Sequence, residues 1–315
     1  MSISLRNQKR VCGRRPEGMA ACLLPYEQDG KIARSAFEDA VGRTDQAGLK
    51  CAVNMDTGYA NYLTDQERSD VLSWTRRALG EDKPFVAGVF VEGLEGDLID
   101  LYRRGADRIT EFGGTPILFQ TTRFHEWSAS QIVDLYATIC EPYESVLGFE
   151  LGKMFAPNGM IFSDEVIRGL MNIPSLKGIK HSSLDRGIEL DRLALRDELR
   201  PDFRIYTGND LGIDMIEFGS DYLLGLAAFC PEKFAQRDQL WEAGDDAYYE
   251  LNDALQYLGN VAFRESVPAY KHSCAVFQHL LGRIPSSEPH PQCPRRPEWE
   301  AEIISDCAKR LGYLL

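Results

Sequence analysis

Eight short apolar runs recur along the chain, each followed by a stretch long enough for a helix, and this alternation restricts the fold more than any other feature of the sequence. The runs are Met19 to Leu24, Leu49 to Asn54, Phe85 to Phe90, Arg108 to Phe112, Ser145 to Leu151, Leu176 to Lys180, Phe203 to Thr207 and Tyr222 to Ala227. Strands separated by helices pair in parallel, and eight such units predict a closed (β/α)8 TIM barrel of the α/β class. A doubly wound open sheet is the alternative, disfavoured because no Gly-x-Gly-x-x-Gly turn follows the first run. Thr64-Asp-Gln-Glu67 has capping-box spacing and predicts a helix through Leu79. Beyond Pro231 the pattern is wholly helical, near Lys233 to Leu258, Val267 to Leu281 and Glu298 to Gly312, which predicts a three-helix extension. The resulting divisions are an N-terminal arm over 1-18, a barrel over 19-230 and a C-terminal helical extension over 231-315.

With 315 residues and 44% hydrophobic content, the chain can bury a large core. Its formal net charge of -13 argues against nucleic acid or an anionic membrane as a partner. Basic residues gather only at the start (Arg6, Lys9, Arg10, Arg14, Arg15), without the long apolar run of a signal peptide, and no later run is long enough to span a bilayer. A cytoplasmic protein is expected, with the arm disordered or contacting a partner. The eight cysteines are scattered, with no Cys-x-x-Cys pair and no zinc-like spacing, and read as reduced structural thiols.

Lys180 ends the sixth run, Ser175-Leu-Lys-Gly-Ile-Lys180. A lysine delivered by a strand into a water-poor barrel interior loses charge-stabilising solvent, and the neutral amine that results can attack a carbonyl to form a Schiff base. On the local pattern alone, Gly-Ile-Lys is too short to be specific, and a strand-end lysine that snorkels to solvent is the favoured reading.

Several further stretches, in order, carry a resemblance that covers nearly the whole chain. They are Leu24-Pro-Tyr-Glu-Gln-Asp-Gly-Lys31, Asp56-Thr-Gly58 with Leu63-Thr-Asp-Gln-Glu-Arg68, Pro84-Phe-Val-Ala-Gly88, Gly105-Ala-Asp107, Ile173-Pro-Ser-Leu-Lys-Gly-Ile-Lys180, Thr207-Gly-Asn-Asp210 and Val267-Pro-Ala-Tyr-Lys271. The chain resembles the dihydrodipicolinate synthase and N-acetylneuraminate lyase superfamily, Schiff-base TIM barrels acting on 2-keto acids. The resemblance implies that Lys180 forms the imine at the C-terminal end of strand six. It implies that Thr57 and Gly58 hold the substrate carboxylate, with Tyr59 beside them where many relatives carry glutamate. Gly208 and Asn209 would form the opposite wall of the mouth, and Leu224 in the eighth run is a further substrate contact. A homo-oligomer, dimer or tetramer, is implied as well.

The departures from that pattern fall on one proton relay. The family's strand-five tyrosine aligns with Phe149, which carries no proton, while a shift of one residue would present Glu150 instead. The family's aromatic hydroxyls after strand four are missing from Thr115-Pro-Ile-Leu-Phe119, and the first hydroxyl of the strand-two pair is replaced by Asp56. Asp56 can act as a replacement acid, accept hydrogen bonds from substrate hydroxyls, or cap its own loop; ionised and unpaired, it would repel the carboxylate of pyruvate. His181, adjacent to Lys180, should face away from the interior. Together these readings predict a lyase, aldolase, synthase or dehydratase acting on pyruvate or a sugar-derived 2-keto acid through Lys180, Asp56 and Glu150, with Phe149 lining the site. A protonated imine is itself an electron sink, so no metal or cofactor is expected. The alternative is a catalytically degenerate barrel that binds a small metabolite or serves as a regulatory or assembly partner.

Overall fold

The computed structural model describes residues 9–314. Eight parallel strands close on themselves in sequence order: β1 (Gly18–Ala21), β2 (Lys50–Val53), β3 (Phe85–Val89), β4 (Thr115–Leu118), β5 (Val146–Leu151), β6 (Leu176–Ser182), β7 (Arg204–Thr207) and β8 (Asp221–Leu224). Side chains alternate between two cores. Met19, Ala21, Ala52, Val86, Ile117, Leu147, Phe149, Tyr206 and Leu223 fill the barrel interior. Their neighbours Ala20, Cys51, Ala87, Leu118 and Leu224 pack outward under the helices α1 (Arg34–Gln46), α2 (Asp65–Leu79), α3 (Leu98–Glu111), α4 (Ala129–Cys140), α5 (Asp164–Met171) and α6 (Arg186–Leu199). α2 starts at Thr64 with the reciprocal Thr64–Glu67 capping box that the spacing predicts.

Three elements differ from the sequence expectation. The run Arg108 to Phe112 is not a strand: residues through Glu111 form the last turn of α3, whose apolar stripe includes Leu101, Tyr102 and Ile109. The strand lies beyond the Gly113-Gly114 break, at Thr115–Leu118, where Pro116 pairs with Ala87 although proline lacks the ladder N–H and usually argues against a strand. Between β7 and β8 the chain forms only a 3-10 turn, Ile213–Phe218, because a short segment bounded by Gly212 and Gly219 leaves no room for a full helix. The stretch Lys233 to Leu258 is two helices, α7 (Pro231–Ala243) and α8 (Ala247–Ala262), divided at Gly244 in the left-handed region (φ 69°).

α7 packs against α1 and β1, the place of the barrel's eighth outer helix. We therefore draw the extension from α8, with α9 (Tyr270–Leu280) and α10 (Glu300–Arg310) as its other two helices. The described part of the arm is tied to the opposite end of the barrel from the site. Arg10 pairs with Glu217 at 2.6 Å, Arg14 with Asp221 at 2.6 Å, and the Val11 N–H donates to the Glu217 carbonyl. Arg6 lies outside the described residues. Among the described residues, no helix is long and apolar enough to cross a membrane.

Candidate active site

A cavity of about 450 Å3 opens at the C-terminal ends of the strands. Lys180 rises into it from β6, in register with Phe149 on β5 and Tyr206 on β7, all three facing inward. Its ammonium nitrogen stands 4.5 Å from the Phe149 ring centre. Burial lowers the lysine pKa, and the charges of Asp210 and Asp56 draw it part of the way back. Gly208 makes the space: a Cβ there would come within 2.0 Å of Ser182 Oγ and 2.6 Å of Lys180 Cε. Ser182, two residues beyond Lys180 and on the same face, lines the cavity with a buried hydroxyl that has no hydrogen-bond partner among the described residues.

Asp210 follows the β7 turn and accepts the Leu226 N–H at 2.7 Å. Burial pushes its carboxyl up to about 7, against the pull of that hydrogen bond and of Lys180. A group balanced at that pH beside a buried amine is suited to take and return a proton. Sequence reading quoted Asp210 only as part of a turn, and Asn209, named in its stead, turns back to accept the Leu211 N–H at 3.0 Å.

At the end of β2, residues Asp56–Gly58 form one 3-10 turn. Its Gly58 and Tyr59 N–H groups donate to Met55 and Asp56 carbonyls and are thereby engaged within the turn. Thr57 is buried at the cavity, and its hydroxyl lies 2.8 Å from the Tyr270 hydroxyl. Tyr270 donates to Asp56 Oδ2 at 3.0 Å, while the Lys271 ammonium donates to Asp56 Oδ1 at 3.0 Å. About half of the Asp56 side chain remains open to the mouth (47%), and Lys271 is almost fully buried (2%). Burial alone would raise the Asp56 carboxyl, yet the charge and hydrogen bond of Lys271, with Tyr270, hold it below its ordinary value. Asp56 is therefore an ionised, neutralised group, and the repulsion toward a keto-acid carboxylate that an unpaired aspartate would exert is largely cancelled. Tyr270 and Lys271, which open α9, belong to a stretch the resemblance had marked without giving it a role. Gly225 lets them approach, since a Cβ there would sit 2.9 Å from the Tyr270 ring and 3.1 Å from Thr57 Oγ1. Phe263 stacks on Tyr270 with ring centres 4.2 Å apart.

The remaining expected residues lie away from the mouth. Glu150 and His181 both face the helices, as parity with the inward Phe149 and Lys180 dictates. There the Glu150 carboxylate receives His181 Nδ1 at 2.7 Å, Arg192 Nε at 3.0 Å and the Phe162 N–H at 2.8 Å. Burial raises its pKa, but His181 and Arg192 outweigh burial and lower it overall. Tyr59 sits behind the turn in a left-handed conformation (φ 61°), its ring 5.6 Å from both Tyr26 and His290. Leu224 points into the outer core. On the far side of the cavity, sequence reading missed Phe90, Phe119 and Phe155. The first two immediately follow β3 and β4, and a correct strand-four boundary would have placed Phe119 there. Among the described residues, no group of three or more His, Cys, Asp or Glu is placed to hold a metal ion.

No family model and no curated protein sequence matches the chain. Solved structures do match. Dihydrodipicolinate synthase from Thermotoga maritima is 16% identical with a TM-score of 0.82, covering 96% of this chain and 100% of that one. The chloride-inhibited dihydrodipicolinate synthase from Acinetobacter baumannii, complexed with pyruvate, is 20% identical with a TM-score of 0.79 and the same coverage. A prophage protein of the dihydrodipicolinic acid synthase family from E. coli K12, also complexed with pyruvate, is 13% identical with a TM-score of 0.81, covering 95% of this chain and 99% of that one. The fold is thus that of the dihydrodipicolinate synthase family structures, including the helices that follow the barrel.

Proposed function

We propose that the chain is a Schiff-base-forming lyase that makes or breaks the C3–C4 bond of a 2-keto acid, between the carbons α and β to its C2 carbonyl, with pyruvate as the product or donor. The observation that carries this reading is one buried lysine at the barrel mouth, its pKa lowered, beside a carboxyl balanced near neutrality. Two structures of this fold are complexed with pyruvate, which gives the keto acid its most economical identity.

In this reading the neutral Lys180 amine attacks the C2 carbonyl and water leaves. The protonated imine then accepts the electron pair of the breaking C3–C4 bond, giving an enamine. Asp210, as the carboxylate, takes the proton of the C4 hydroxyl; the enamine is reprotonated at C3, and water releases pyruvate from Lys180. Thr57, tied to Tyr270, orients the substrate carboxylate, and the Asp56–Lys271 pair leaves that corner close to neutral. Phe149 supplies no proton, so transfer falls to Asp210 and the Tyr270 hydroxyl.

That same phenylalanine favours a second reading, a barrel that binds a keto acid without turning it over. Exchange of the pyruvate methyl protons with D2O, followed by proton NMR, separates the two, because exchange requires both the imine and a proton carrier. Enzyme-dependent exchange that disappears in Lys180→Ala is expected. Binding of pyruvate without exchange would establish the second reading.

A further inference from the structure

The cavity is divided by polarity, and the division names a class of substrate. Its reactive floor is polar: Asp56, Thr57, Lys180, Ser182 and Asp210 meet there with the pair that opens α9. The facing wall is built by the ends of β3, β4 and β5 and the loop after β5, and it presents Phe90, Phe119, Phe149 and Phe155. Phe119 stands edge-to-face against both neighbours, 5.0 Å from Phe149 at 82° and 5.7 Å from Phe90 at 74°. The polar groups on that side are few, and each is partly engaged or at the rim. Glu92 accepts from the Thr122 hydroxyl and N–H, the Asn158 amide donates to the Gln120 carbonyl, and Asn61 is exposed.

A three-carbon keto acid would occupy only the floor of a 450 Å3 cavity, a size in the range of roughly 300–1,000 Å3 that holds much larger ligands. Whatever extends from C4 must lie against the phenylalanines. A polyhydroxylated chain would bury most of its hydroxyls against phenylalanine rings, with only Glu92 and the Asn158 amide oxygen on that side to receive them, whereas an aromatic ring continues the edge-to-face array. We infer that the substrate is a 4-hydroxy-2-keto acid bearing an aryl group on C4, so that cleavage gives pyruvate and an aromatic aldehyde. This rests on the Schiff-base reading, and replaces the sugar-derived keto acid expected from sequence. The reaction balances without a co-reactant: the C4–O–H proton passes to Asp210, C4 becomes the aldehyde carbon as C3–C4 breaks, and C3 of pyruvate recovers a proton.

The test runs in the synthetic direction on the full chain, with pyruvate and either benzaldehyde or D-glyceraldehyde, products being quantified by liquid chromatography and mass spectrometry. A preference for benzaldehyde on the order of 100-fold in kcat/KM is expected, the discrimination typical of an apolar pocket against added hydroxyls. Phe155→Ser, on a half-buried residue of the loop after β5, should cut that preference at least tenfold, and Phe119→Ser should cut it further. Equal or better use of glyceraldehyde, or a preference unmoved by both variants, overturns the inference. The Schiff-base reading is scored separately, by borohydride trapping of pyruvate. If no pyruvate is trapped, calorimetry with benzylidenepyruvate still decides the wall: saturable binding weakened by Phe155→Ser supports it, and absence of binding overturns it.

Discussion

Lys180 and Asp210 share a corner in which burial works on both: it lowers the pKa of the amine and raises that of the acid. The consequence is a pH dependence with a definite sign. In the folded chain Asp210 holds its proton up to about pH 7, and in the unfolded chain only to about pH 3.9. Its ionisation therefore opposes folding increasingly as pH rises between those values, and the full cost is reached above the folded pKa. Asp210→Asn should raise the melting temperature at pH 8 and leave it nearly unchanged at pH 4, as read by calorimetry. The same substitution should remove the rise of kcat/KM with pH near 7 that the Asp210 carboxylate contributes. Glu150 behaves oppositely. Its folded pKa lies below the ordinary value, so its contribution is complete at neutral pH and lost only as pH falls through the carboxylate range. Glu150→Ala leaves Arg192 buried with Asp164 and the Phe162 carbonyl as its remaining partners, and should cost about 3 kcal/mol in urea denaturation, while pyruvate trapping by the folded fraction persists. The placement of Lys180 and Thr57 at the cavity was legible in the sequence because motif and strand end coincide. The choice between Phe149 and Glu150 was not, because it turns on strand parity, and a single residue of register reverses it.

At the scale of elements, α9 completes the site. A helix beyond the barrel inserts Tyr270 and Lys271 between the β2 turn and Gly225, and so brings a tyrosine hydroxyl within hydrogen-bond distance of Thr57 and Asp56 at the cavity. Tyr270→Phe should lower kcat by roughly 10²-fold, the scale of a lost acid–base partner, with borohydride trapping of pyruvate retained; a fall in trapping equal to the fall in kcat would make Tyr270 a purely structural residue. Lys271→Met leaves the Asp56 charge unpaired and should weaken pyruvate binding at least tenfold in a trapping titration, and adding Asp56→Asn should restore much of the loss. The long-range contact between residues 56 and 270 has no local signature in the sequence, only two motifs far apart. The strand misplaced at Arg108 to Phe112 has a different origin: the last turn of an amphipathic helix and a short strand share an apolar, β-branched composition. Gly113-Gly114 was the stronger boundary signal.

For the whole molecule, the alternation of strand and helix made the barrel legible before any motif was weighed, since a closed parallel sheet is what eight such units can bury themselves in. The polarity of the mouth was much less so. Phe90, Phe119 and Phe155 are far apart in the chain, and only closure of the barrel sets them opposite Lys180. The central claim is that this one lysine carries the substrate. It is tested most directly by incubating the full chain with pyruvate and borohydride and reading the product by intact mass and peptide mapping. A single reduced pyruvate adduct on the peptide containing Lys180, absent from Lys180→Ala, is the predicted result; no adduct, or labelling that survives the substitution, would contradict it.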